Sequence, residues 1–91
     1  MTYKLVFPEP YLKKEKAFLK NHPDLRPRYF KTLLLLERNP HHPSLRLHTL
    51  HGRLAGLHSV SISMRYRITQ ELELREREIV FVSIGSHSGV Y

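Results

Sequence analysis

The chain has no cysteine and no tryptophan among its 91 residues. Without thiols, neither a disulfide framework nor a thiolate zinc site can be built. That absence fits a reducing cytoplasm. Long apolar runs are missing too. The run Leu33-Leu34-Leu35-Leu36 is far too short to span a bilayer. The start, Met1-Thr2-Tyr3-Lys4-Leu5-Val6-Phe7-Pro8, lacks the apolar stretch of a signal peptide. A single domain over residues 1–91, cytoplasmic and without membrane contact, is therefore expected. Glycine is scarce, and no phosphate-cradling glycine loop is present.

Negative charge is also missing where it would matter. No carboxylate occurs between Glu37 and Glu71, yet that stretch holds Arg38, Arg46, Arg53, Arg65 and Arg67. It also holds His41, His42, His48, His51 and His58. The formal net charge is +7, from fifteen Lys and Arg against eight Asp and Glu. An acid-free basic tract in a cationic domain suits a polyanion such as RNA, DNA or an acidic protein segment.

The elements follow from periodicity. Residues 3–7 read as a short strand, broken by Pro8-Glu9-Pro10. Residues 11–20 form a helix with Tyr11, Leu12, Phe18 and Leu19 as its apolar stripe. Asp24 is the expected N-cap of a second helix over residues 25–38, buried through Leu25, Tyr29, Leu33 and Leu36. From Leu45 the period changes to two, with Leu45, Leu47 and Thr49 alternating with Arg46, His48 and Leu50. In residues 57–62, Val60 and Ile62 face away from Ser59 and Ser61. In residues 65–72, Tyr66 and Ile68 face the core while Arg65 and Arg67 face out. Residues 73–78 are a charged hairpin tip. Residues 79–84 are nearly all apolar, as in a central strand covered on both faces. The fold class is α+β: an N-terminal strand and a two-helix hairpin packed on a mostly antiparallel, twisted sheet of four to five strands.

Strand parity then puts chemistry on the face away from the helices. Arg67 stands at its centre, with Ser59 and Ser61 beside it and His48 on the preceding segment. His87 and Tyr91 end the neighbouring strand. Cleavage of RNA by its own 2′-hydroxyl needs a base, a cation for the phosphorane charge and an acid for the 5′ oxygen. Two histidines and an arginine supply all three without metal, and an aromatic ring can stack on a base. Other readings fit less well. His48 and His51 have metal-ligand spacing but no acidic residue or cysteine nearby. Ser59, Ser61 and Ser63 lack the aspartate of a serine-hydrolase triad. His41-His42, among prolines, reads as a wet loop.

The run Leu47-His48-Thr49-Leu50-His51-Gly52-Arg53-Leu54-Ala55-Gly56-Leu57-His58-Ser59-Val60-Ser61-Ile62-Ser63-Met64-Arg65-Tyr66-Arg67-Ile68 resembles the RelE/ParE superfamily of bacterial toxins. Its ending, Ile84-Gly85-Ser86-His87-Ser88-Gly89-Val90-Tyr91, is similar to that of the YafQ-like branch. The resemblance covers essentially the whole chain. It implies the toxin of a type II toxin–antitoxin system, an endoribonuclease that cuts mRNA on the ribosome without a metal or other cofactor. It also implies a cognate antitoxin as partner in a hetero-oligomer. Carried over, His87, His48 and Arg67 are the implied catalytic residues. Tyr91 is the implied base-stacking ring, and Arg65, Arg53, His51 and Ser61 line the substrate. This chain has Ser61 where YafQ-like proteins carry another histidine, and Arg65 where they carry an acidic residue. Two alternatives stay open: a ParE-like inhibitor of DNA gyrase, and a weakened homologue that only binds its antitoxin.

Overall fold

The structure, a computed structural model, describes residues 2–86. The chain begins with strand β1 (Lys4–Val6), which Pro8 ends in extended conformation. Helix α1 (Glu9–Asn21) starts there. Pro10 sits in its first turn, where a missing N–H costs nothing, and Glu9 and Lys20 complement the helix dipole at its two ends. A 3-10 turn (Pro23–Leu25) leads into helix α2 (Arg26–Arg38). A second 3-10 turn (Pro43–Leu45) precedes β2 (His48–Thr49), and a third (Gly52–Leu54) lies between β2 and β3 (His58–Ser61). Strands β4 (Tyr66–Glu73) and β5 (Glu78–Ser86) form the long closing hairpin.

The sheet order is β1-β5-β4-β3-β2. Among the described residues only the β1–β5 pair is parallel; the other pairs are antiparallel. Both helices pack on one face, so the α+β class and the five-stranded sheet agree with the sequence reading. The core joins Tyr11, Phe18, Tyr29 and Leu36 of the helices to Val60, Ile68, Ile79 and Phe81 of the sheet. Phe81 is central: Phe7 stacks on it at 4.7 Å and Tyr11 tilts against it at 5.2 Å. Burying one such side chain contributes about 2 kcal/mol.

Four expectations need correction. Asp24 is not a helix cap. It lies inside the 3-10 turn, and α2 is capped by Leu25 with no side-chain bond. Leu12 does not belong to the buried stripe, being 43% exposed. Glu15, one turn beyond Tyr11, takes the inward place because it has a partner. Tyr29 Oη donates to Glu15 Oε2 at 2.5 Å, and the Tyr11 and Tyr29 hydroxyls meet at 2.8 Å. Tyr29 spends its single proton on Glu15, so Tyr11 is the donor in that second bond.

The period-two pattern from Leu45 yields only two strand residues. Leu45 closes a 3-10 turn and Arg46 is left-handed, with φ 49° and ψ 55°. Beyond that break Leu50 is buried and Thr49 exposed, the reverse of the alternation. The strand at residues 79–84 is interior to the sheet but not covered on both faces. Thr69 pairs with Ser83 and Gln70 with Phe81, so Val82 is the extra residue of a β-bulge and is 36% exposed. Lys14 Nζ of α1 donates to the Val82 carbonyl at 3.3 Å.

Candidate active site on the open face of the sheet

Side chains alternate across a sheet, so the register decides what shares a face. Val60, Ile68 and Ile84 form one cross-strand row on the helix side. The rows on either side of it face the other way. One runs His48, Ser59, Thr69, Ser83 across β2 to β5. The next runs Ser61, Arg67, Gly85 across β3 to β5. Directly opposed residues in such rows have Cβ atoms about 5 Å apart.

Arg67 ties the two rows together. Its Nη1 donates to Ser59 Oγ at 3.5 Å, so the guanidinium lies diagonally over the sheet. Ser59 and Thr69 of the neighbouring row are 0% and 1% exposed. Among the described residues no carboxylate pairs with Arg67, in keeping with the acid-free stretch between Glu37 and Glu71. A half-buried guanidinium without a counter-charge retains donors for a phosphate, and its fork geometry suits two of the oxygens.

His48 is exposed on the edge strand β2. It lies two strands across and two residues along from Arg67, about 12 Å between backbones. Ser61 is half-buried and directly opposite Arg67. Arg65 is exposed in the bend at residues 62–65 that joins β3 to β4. His51 and Arg53 are exposed in the β2–β3 connection. This pair and Arg65 flank opposite ends of β3 and are not gathered at one point. Strand β5 ends beside Arg67 and Tyr66, through Gly85 and Ser86. His87 and Tyr91 lie outside the described residues.

The two glycines of the β2–β3 connection have a conformational cause. Gly52 has φ +68° and Gly56 φ +93°, with open space where a Cβ would stand. The loop needs glycine for its backbone shape, not for close packing. Three other histidines lie away from these rows. His22 rests 4.7 Å from the Phe18 ring and 4.6 Å from that of Tyr66. His42 Nδ1 accepts the Ser44 N–H at 3.2 Å. His58 pairs with Gln70 on the helix side, where its Nδ1 and both Gln70 amide atoms are buried without partners. No group of three or more His, Asp or Glu among the described residues can hold a metal ion.

No model of a known protein family matches the chain, and no curated protein matches it in sequence. Solved structures do match. The toxin–antitoxin complex DinJ–YafQ of E. coli contains a chain 19% identical, aligned over 100% of this chain and 99% of its own, with a TM-score of 0.76. YafQ from E. coli strain BL21(DE3) is 18% identical over 98% of both chains, with a TM-score of 0.74. The YoeB–YefM complex from Staphylococcus aureus is 19% identical over 93% of this chain and 97% of that one, at 0.72. These neighbours are RelE/ParE-superfamily toxins, and this chain has their fold.

Proposed function

We propose that this chain is the toxin of a type II toxin–antitoxin pair and acts as a ribosome-dependent, metal-independent mRNA endonuclease. The observation that carries the reading is the open face. It holds an arginine with no acidic partner among the described residues, flanked by hydroxyls and an exposed histidine, at the end of the sheet where β5 finishes at Ser86. The shared fold with YafQ and YoeB supports it.

In the proposed reaction a base takes the proton of the 2′-hydroxyl, and the resulting oxygen attacks the adjacent phosphorus. The bond to the 5′ oxygen breaks, and an acid protonates that leaving oxygen. The products carry a 2′,3′-cyclic phosphate and a 5′-hydroxyl. His87 is the leading acid–base group and His48 the second, imidazole being the side chain that most often transfers protons in catalysis. Arg67 stabilises the phosphorane, whose charge exceeds that of the ground state. Tyr91 stacks on a base. Arg65, Arg53, His51 and Ser61 hold the flanking backbone. The antitoxin silences the toxin by laying an acidic segment over the basic tract.

Purified protein added to ribosomes carrying a defined mRNA should cut within the A-site codon, as read by primer extension. His48→Ala with His87→Ala should slow that cut by at least about 10²-fold, the minimum for losing positioned acid–base groups. Intact mRNA together with arrested supercoiling by purified DNA gyrase would replace this reading with that of a gyrase inhibitor.

A further inference from the structure

A cleft of about 290 Å³ opens between α2, the Pro43–Leu45 turn and the β3–β4 bend. Its floor is apolar, from Leu35, Leu45 and Ile62. Its walls carry three cations, Arg28, Lys31 and Arg46, and the hydroxyls of Ser44, Ser61 and Ser63. Among the described residues no carboxylate lines it. Arg28, Lys31 and Arg46 are all exposed, so their charge faces whatever enters.

Arg46 is held at this mouth in an unusual way. It terminates the 3-10 turn Pro43–Leu45 in left-handed conformation, a place ordinarily filled by glycine or asparagine. Its Nη1 reaches Met64 Sδ across the cleft at 3.7 Å. Met64 is 84% exposed, so its thioether covers nothing in the isolated chain. A guanidinium beside a soft, exposed sulfur makes a platform on which a base can lie. Ser61 belongs to the cleft and also to the open-face row with Arg67. The cleft therefore adjoins the site described above.

We infer that this cleft is a binding subsite for one nucleotide unit of single-stranded RNA, with its phosphate held by Arg28, Lys31 and Arg46 and its base against Met64. The inference rests on the reading of the open face as an RNA site. Cations and hydroxyls without carboxylates are the side chains that contact phosphate. The volume suits a single nucleotide and is too confined for a peptide helix. The walls are α2, the Pro43–Leu45 turn and the β3–β4 bend, and their cations and hydroxyls suit a phosphate better than an apolar helix face.

The test is anisotropy of labelled eight-nucleotide single-stranded RNAs, one of uridines and one of adenosines, titrated with intact protein over a range of salt. Arg46→Gly and Lys31→Gln should each weaken binding several-fold, alike for both RNAs. Each should lower the slope of log affinity against log salt by about 0.7, the value for one phosphate contact on a single strand. Arg46→Gly suits the left-handed backbone, so its Tm should equal or exceed that of the wild type while RNA binding falls. Unchanged affinity and slope in both variants would overturn the subsite. So would loss of binding to a poly-glutamate peptide with RNA binding intact, which would make the cleft a peptide site. The ribosome assay fails or succeeds separately. Normal A-site cutting with unaffected RNA binding in both variants removes only the cleft. Salt-dependent RNA binding through the cleft without any cutting removes only the nuclease.

Discussion

Arg67 spans two rows of the open face from a single backbone position, reaching Ser59 two residues from its own partner Ser61. Its value there depends on both charge and shape. Arg67→Ala should lower the A-site cleavage rate by about 10²-fold or more, the typical loss for one transition-state donor. Arg67→Lys should recover only part of it, because an ammonium keeps the charge without the fork. Full recovery by lysine in single-turnover kinetics would reduce Arg67 to a point charge. The direction of this residue was legible in the sequence, since Tyr66 and Ile68 are apolar and Arg67 lies between them. Arg46 was not legible. Left-handed backbone is signalled by glycine or asparagine, and an arginine there costs about 1 kcal/mol that no pattern reveals. The placement of His51 and Arg53 across β3 from Arg65 was equally hidden, because sequence distance does not say at which end of a strand a loop lies.

At the scale of elements, the two helices are joined by a polar contact that hydrophobic periodicity could not announce. Tyr11, Tyr29 and Glu15 form a hydrogen-bonded chain between α1 and α2. This is why Glu15 turns inward and Leu12 outward. Tyr29→Phe removes the donor to a half-buried carboxylate and should destabilise the protein by about 2 kcal/mol in urea denaturation. Burial is the main force that pushes both tyrosine hydroxyls well above their ordinary 10.0. A group whose folded pKa is raised stabilises fully below its unfolded value and loses that contribution as pH climbs past it. Stability should therefore hold up to about pH 10 and fall steeply above it. A flat stability curve from pH 9 to 11 would contradict the buried pair. Helix and strand order was readable because apolar periods of 3.6 and 2 are separated by prolines and glycines. The Val82 bulge was not, because a β-bulge inserts a residue without altering composition.

On the scale of the whole molecule, charge is polarised. Four of the eight carboxylates, Glu71, Glu73, Glu76 and Glu78, cluster toward the β4–β5 hairpin tip. Arg67 and the end of β5 lie at the opposite end of that hairpin. The acid-free stretch seen in the sequence runs the length of β3, from the loop of His51 and Arg53 to the bend of Arg65, in a small molecule of 35 × 30 × 27 Å. Such a field steers polyanions onto the open face. The association rate constant with an acidic antitoxin segment should fall steeply as ionic strength rises in stopped-flow mixing. A rate indifferent to salt would argue against steering.

The claim on which all of this depends is that the open face makes RNA cut itself through its 2′-hydroxyl. It is tested most directly on ribosomes programmed with two mRNAs that differ by one 2′-deoxynucleotide at the scissile A-site position. The account predicts that the all-ribose message is cut to a 2′,3′-cyclic phosphate and a 5′-hydroxyl, and that the deoxy message stays whole. Equal cutting of both, leaving a 3′-hydroxyl and a 5′-phosphate, would contradict it.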